Sequence, residues 1–285
     1  MPRNNTRRTG STPKEAATKA APAPAASVLD FVTPTELVDL PSRGRFYSED
    51  HPLHNKETVE IRYMTAKDED ILTSQTLLKK GVALERLMQN ILVDKSVNPA
   101  TLLSGDRNAI LVGARITGYG PKYKANVGCP SCGDTAESSF DLSDLEAIET
   151  SEEEQQRLNV SMTENTTFIT TLPLTGVAAE FRLLTGADER VITQNVQKKR
   201  NKNVLDGSLS TQFSRAVLAL NDETDRATIQ KFMLMMPARD ARHLRSAFQA
   251  VTPNVDLAQD FECSACGYEQ QMEVPLTADF FWPDR

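Results

Sequence analysis

Four cysteines carry the most distinctive chemistry in this sequence. They stand in two pairs, Cys129-Pro-Ser-Cys132-Gly133 and Cys263-Ser-Ala-Cys266-Gly267, with none left over. Two residues between cysteines let both sulfurs bend toward one ion, and the glycine that follows permits the positive φ that closes such a knuckle. Two knuckles together make a tetrahedral four-thiolate site, so Cys129, Cys132, Cys263 and Cys266 are the expected ligands of one Zn2+. Four protein thiolates leave no open position for water or substrate. The expected role of the metal is therefore structural, with binding coupled to folding. A dithiol redox pair is disfavoured because neither CxxC opens a helix after a strand in a thioredoxin-like setting. Two reduced, metal-free pairs are the remaining alternative.

Other catalytic groups are scarce. Of the three histidines, His51 and His54 share a Pro-containing loop and His243 lies beside Arg242 and Arg245. Exposed loop histidines are the plain reading, with a metal role for His51 and His54 as the minor one. No P-loop, GxGxxG, GxSxG or HExxH occurs. The paired acids Asp68/Glu69 and Asp188/Glu189 are explained by charge at helix N-termini without acid–base work. No catalytic or small-molecule-binding residue is expected, and neither is an enzyme.

About 130 residues separate the two cysteine pairs, far more than in a compact zinc ribbon. Internal similarity supplies the missing reason. Residues 60–73 read EIRYMTAKDEDILT and residues 180–193 read EFRLLTGADERVIT, with Glu60/Glu180, Arg62/Arg182, Thr65/Thr185, Asp68/Asp188, Glu69/Glu189 and Thr73/Thr193 identical. Each segment predicts a short alternating strand, a Thr at the N-cap, and an acid at the third helical position. The correspondence resumes at Asp106 and Asp240, each 23 residues before a first cysteine and each opening a helical pattern. A turn and a strand then lead into each CxxCG, and a second strand leaves it. The shift grows from 120 to 134 residues, which places an insertion in the second copy, with Gln197-Lys-Lys-Arg-Asn-Lys-Asn203 as the candidate.

The expected fold is thus α+β: an internally duplicated strand–helices–zinc-knuckle unit, its two copies joined through a shared four-cysteine site of zinc-ribbon type. The expected boundaries are a basic arm over 1–29, a first repeat over 30–145, an acidic helical connector and strand over 146–177, and a second repeat over 178–285. Within the connector, 143–160 reads as helical and Thr167–Leu174 as a strand pairing with Ala178–Leu183.

The arm carries Arg3, Arg7, Arg8, Lys14 and Lys19 against Glu15, with almost nothing apolar to bury. Such a segment is expected to be disordered in isolation, serving as a solubilising or docking tail; an organelle transit peptide is the alternative. Removing it leaves a body more acidic than the −7 of the whole chain. That charge gives no reason to expect general affinity for nucleic acid. The basic clusters Lys198–Lys202 and Arg239–Arg245 are short and lack interleaved aromatics. A zinc-ribbon nucleic-acid-binding or regulatory module is therefore the second hypothesis. No apolar run reaches a bilayer-spanning length, and cysteine usage fits a reducing cytoplasm. The ending Ala278-Asp-Phe-Phe-Trp-Pro-Asp-Arg285 either covers the second knuckle's core or anchors another subunit.

With these residues in view, the chain resembles the baseplate hub and hub-assembly proteins of T-even-type contractile-tailed bacteriophages. The resemblance rests on Glu36-Leu-Val-Asp-Leu-Pro-Ser-Arg-Gly-Arg-Phe-Tyr47, the segment Glu60–Leu72, the Gly105-Asp-Arg107 helix start, the Tyr-Gly…Cys-Pro-x-Cys-Gly run through residue 133, and the Phe-Phe-Trp-Pro ending. It implies a non-enzymatic structural or assembly role at the tail baseplate hub. Its implied partners are other hub or tail proteins rather than a small molecule or a membrane. Its implied setting is the host cytoplasm during assembly and then the virion tail baseplate, which also removes the transit-peptide reading.

Overall fold

A computed structural model describes residues 33–148, 150–200, 208–274 and 278–281. The basic arm, Trp282 and the Asn201–Asn203 end of the expected insertion lie outside the described residues. Alternation shapes the first hairpin. In Thr58–Arg62 (β2), Val59 and Ile61 are buried and Glu60 is exposed, as period-two side-chain direction demands. The strand pairs antiparallel with Thr35–Asp39 (β1), Leu37 lying opposite Glu60. Helices Ala66–Thr73 (α1), Gln75–Lys80 (α2), Ala83–Ile91 (α3) and Ser104–Tyr119 (α4) follow. The hairpin Lys122–Gly128 (β3) and Thr135–Asp141 (β4) closes this half.

A 3₁₀ turn, Leu142–Asp144, leads to Ala147–Ile148 (β5) and the helix Glu152–Arg157 (α5). The acidic helix expected across 143–160 is therefore confined to six residues. Strands Ser161–Met162 (β6), Phe168–Thr171 (β7), Ala178–Phe181 (β8) and Val217–Leu220 (β9) form a four-stranded antiparallel meander in that order. Between β8 and β9 run Gly186–Arg200 (α6) and Ser208–Ala216 (α7). Gln197–Arg200, expected in an inserted loop, are the last turn of α6. Helices Arg226–Met235 (α8) and Ala238–Val251 (α9) precede Asn254–Val255 (β10) and a second closing hairpin, Ala258–Glu262 (β11) and Glu269–Glu273 (β12).

One apolar core runs through both halves of the unit Pro34–Arg285, including Ile61, Leu72, Ile110, Phe168, Phe181 and Leu244. A smaller cluster of Cys129, Phe261 and Cys263, flanked by Val127 and Met272, sits at the two hairpin tips. The tails beyond the hairpins cross over. β5, which follows the first hairpin, pairs with β10 on the way into the second. The 3₁₀ turn Ala278–Phe281, which follows the second hairpin, packs on the first half. Phe280 meets Tyr123 edge-on at 5.0 Å, and both Phe280 and Phe281 are fully buried. Phe280 and Phe281 thus join the main core through the first half rather than the cluster at the knuckles.

Arg115, itself fully buried, ties this crossing down. Its guanidinium donates to Phe280 O at 3.0 Å, Gly120 O at 2.8 Å and Lys122 O at 3.2 Å, and it lies 5.2 Å from the centre of the Tyr119 ring. A guanidinium reaching the carbonyls just past the C-terminal end of α4 is favoured by the helix dipole and by the aromatic faces beside it.

Candidate metal centre

Each cysteine pair occupies the tip of a two-stranded hairpin, and the two tips are built alike. Cys129 N donates to Asp134 O at 2.7 Å and Gly133 N to Cys129 O at 2.9 Å; Cys263 N donates to Tyr268 O at 2.9 Å and Gly267 N to Cys263 O at 2.8 Å. Gly133 and Gly267 take φ of 76° and 67°, the left-handed values expected of the glycine in a CxxCG knuckle. Cys129 and Cys263 are buried, while Cys132 and Cys266 face out.

The tips meet. All four sulfurs lie within 4.8 Å of one another, with Cys129 Sγ 3.7 Å from Cys266 Sγ and Cys132 Sγ 3.8 Å from Cys263 Sγ. A tetrahedron with metal–sulfur bonds of about 2.3 Å has edges of about 3.8 Å, so the two distances across the tips match such an edge and the four sulfurs lie close enough to share one ion. It does not match a disulfide, whose sulfurs lie about 2.05 Å apart, and all four cysteines are free.

The local electrostatics are uneven. The backbone N–H of Cys132 donates toward Cys129 and holds its thiol down at about 7 against the opposing effect of burial. The N–H of Tyr268 favours the Cys266 thiolate, but burial and the sulfurs of Cys132, Cys263 and Cys129 outweigh it and push that thiol up to about 12. Four thiolates in so small a space repel one another, and a central dication is the species that relieves this.

Two kinds of buried acid site tie the elements of each half together. Asp68 receives a two-pronged ion pair from Arg62, at 2.7 and 2.9 Å, and accepts from Thr65 N and Thr65 Oγ1 at 2.8 Å each. In the second half Asp188 receives Arg182 at 2.7 and 2.9 Å and accepts from Thr185 N at 3.1 Å and Thr185 Oγ1 at 2.9 Å. Burial works to raise Asp68, but the Arg62, Thr65 and Asn90 donors prevail and hold it down at about 2. Asp188 is lowered in the same way.

The other site joins the loop after the first strand to the long helix before the hairpin. Asp106 accepts from Ser42 N at 3.0 Å, Ser42 Oγ at 2.6 Å and Tyr47 Oη at 2.7 Å. Asp240 accepts from Leu174 N at 2.8 Å, Thr175 N at 3.0 Å and Thr175 Oγ1 at 2.7 Å. The sequence contained the signal for both sites. Arg-x2-Thr-x2-Asp occurs at 62–68 and 182–188, and Leu-Pro-x2-Gly at 40–44 and 172–176. The second match escapes a search at a shift of 120 because Arg45–Glu57 is replaced in the second half by Val177 alone, which changes the spacing.

The histidines serve the fold. His51 stacks on Tyr47 with ring centres 4.2 Å apart and its Nε2 meets Thr101 Oγ1 at 2.9 Å; His54 Nδ1 meets Tyr47 O at 2.7 Å. His243 Nε2 meets Thr170 Oγ1 at 3.0 Å. Among the described residues, the four cysteines are the group arranged to hold a metal ion.

Residues 36–282 match the family model described as T4 bacteriophage base plate protein. The chain belongs to this family. It is a T4-type baseplate protein, with a structural place in the phage baseplate and other phage tail proteins as neighbours. No curated protein and no solved structure matches the chain. Among the described residues, no helix is long and apolar enough to cross a membrane.

Proposed function

We propose that this baseplate protein is a non-enzymatic block of the tail hub, made of two copies of one α+β unit pinned together by a structural Zn2+. Cys129, Cys132, Cys263 and Cys266 are its ligands, and the chain acts in the host cytoplasm during assembly before entering the virion tail. One observation carries this reading: two hairpin tips separated by more than a hundred residues bring four sulfurs within 4.8 Å of one another. Duplication is supported by the matched donors on Asp68 and Asp188 and on Asp106 and Asp240. A closed four-sulfur site has no room for substrate at the metal, which favours scaffolding over catalysis. The surrounding aspartates are occupied in holding loops and helices, which favours the same reading.

Elemental analysis of the purified chain should find one zinc per molecule, and mass spectrometry of isolated tails should find the chain in the central hub. Metal-free protein of unchanged stability would remove the zinc. Salt-dependent binding to DNA with no association to tail proteins would favour the nucleic-acid-binding alternative.

A further inference from the structure

The two halves differ at one sheet edge. β7 is the counterpart of β1: Leu172-Pro-Leu-Thr-Gly176 follows it as Leu40-Pro-Ser-Arg-Gly44 follows β1, and Ile169 faces Glu180 as Leu37 faces Glu60. β7 is flanked on both sides, by β8 and by β6, and Ile169 lies opposite Ser161 of β6. Among the described residues β1 pairs with β2 alone.

The register shows which backbone groups are left open. Pro34 O accepts from Tyr63 N and Leu40 N donates to Glu57 O, so the even-numbered residues of β1 make the bonds to β2. In an antiparallel pair these sites alternate, so the N–H and C=O groups of Thr35, Leu37 and Asp39 point away from β2. Leu37 is 65% exposed, against 37% for Ile169 beside β6. The second half fills its edge by a tight return in which Thr163 N donates to Thr167 O and Thr166 takes φ 56°. Pro34 stands at the position of Thr166, and its ring holds φ near −65°. Pro34 therefore cannot take the positive φ that Thr166 takes.

We propose that the outer edge of β1 is a docking site for an extended segment of a neighbouring baseplate protein. That segment adds antiparallel to Thr35–Asp39 as β6 adds to β7 and covers Leu37 with an apolar side chain. Main-chain bonds to an open edge supply affinity and side-chain contacts supply selectivity. A second copy of this chain pairing strand to strand is the weaker occupant. Thr35–Asp39 carries Glu36 and Asp39 and no basic residue, so pairing two copies of it would set four carboxylates together with no cation between them. The proposal rests on the baseplate role and on the equivalence of the two halves.

Hydrogen exchange on the full chain, free and within tails isolated from infected cells, tests it. In the free chain the Leu37 and Asp39 amides should exchange quickly while Ile169 is protected; in tails the Leu37 amide should slow by tenfold or more. Leu37→Pro removes an outward N–H and none of the β2 bonds. It should leave the Tm of the free chain within a degree or two and abolish incorporation into tails. Fast exchange of Leu37 in tails, or normal incorporation of Leu37→Pro, overturns the proposal. Protection of Leu37 already in the free chain overturns it too, because the chain would then fill its own edge. A wild-type chain absent from tails would instead overturn the baseplate placement, and an unprotected Ile169 the equivalence of the halves.

Discussion

The first and second halves of this protein use one set of contacts in two environments. Asp68 and Asp188 hold the same arginine fork and the same threonine. Yet the additional donor is the neutral Asn90 at 2.7 Å in one half and the cationic Arg215 at 3.1 Å in the other. Asp106 and Asp240 both cap a loop, but they titrate in opposite directions. Burial dominates at Asp106 and raises it above the ordinary carboxylate range despite the Ser42 and Tyr47 donors. At Asp240 burial also acts to raise the group, but the Thr175 and Leu174 donors outweigh it and lower it. The first half alone carries the long loop Arg45–Glu57, whose Tyr47 donates to the Asp106 carboxylate. The two halves thus share a hydrogen-bond geometry in different local dielectrics.

The strongest way to break the pairing of the halves is at their shared tip. Cys129→Ser or Cys266→Ser should abolish stoichiometric zinc and lower stability by at least about 5 kcal/mol. Small structural zinc sites bind with apparent free energies of roughly 10–16 kcal/mol. Metal analysis and thermal unfolding check this, and an unchanged Tm with metal retained would refute the site.

Next come the arginine forks. Asp68→Ala and Asp188→Ala should each cost about 3–5 kcal/mol, because each leaves a guanidinium without its carboxylate in a half-buried place. The second should be the worse, since Arg182 and Arg215 are both stranded; denaturant unfolding measures the order. Acid sharpens the same point. Asp68 sits at about 2 when folded and near 3.9 when unfolded. Its contribution is therefore complete above about pH 4 and lost as pH falls toward 2. Asp68→Ala should show a flatter stability profile over that window than wild type.

Matched glycines give a cleaner contrast. Gly44 and Gly176 have φ of 71° and 69°, so alanine is strained at both. At Gly44 an added Cβ would also collide with Leu53 O and Lys56 N, whereas at Gly176 it meets open space. Gly176→Ala should cost about 1–2 kcal/mol, the left-handed penalty alone, and Gly44→Ala clearly more. Equal losses would show that the first-half loop yields easily.

The smallest expected effect separates the two capping acids. Asp240 accepts a backbone N–H on each oxygen, so Asp240→Asn must set an amide NH2 against one of them and should cost about 1–3 kcal/mol. Asp106 accepts one backbone N–H, and hydroxyls that can turn to accept lie on its other oxygen. Asp106→Asn should therefore be near neutral at pH 7 and should remove a penalty that grows as pH rises above the unfolded carboxylate range. Urea unfolding at pH 5 and pH 8 checks both the sizes and the signs.

Much of this architecture was legible from residues close together in the chain. The CxxCG spacing and its glycines specify knuckles because a turn of five residues is decided within itself. Thr65 with Asp68, and Thr185 with Asp188, mark helix starts for the same reason. The match between Glu60–Thr73 and Glu180–Thr193 pointed to two like halves. What the chain order could not decide is which distant partners those local pieces would find. The bonds from Asp106 to Ser42 and from Asp240 to Thr175 span more than sixty residues. The terminal Phe280 and Phe281 lie on the first half, and only the folded chain brings Cys129 beside Cys266. Apolar burial drives those encounters; its periodicity in the sequence marks which face of an element is buried but, having no direction, not which partner covers that face, and packing selects among the partners it permits.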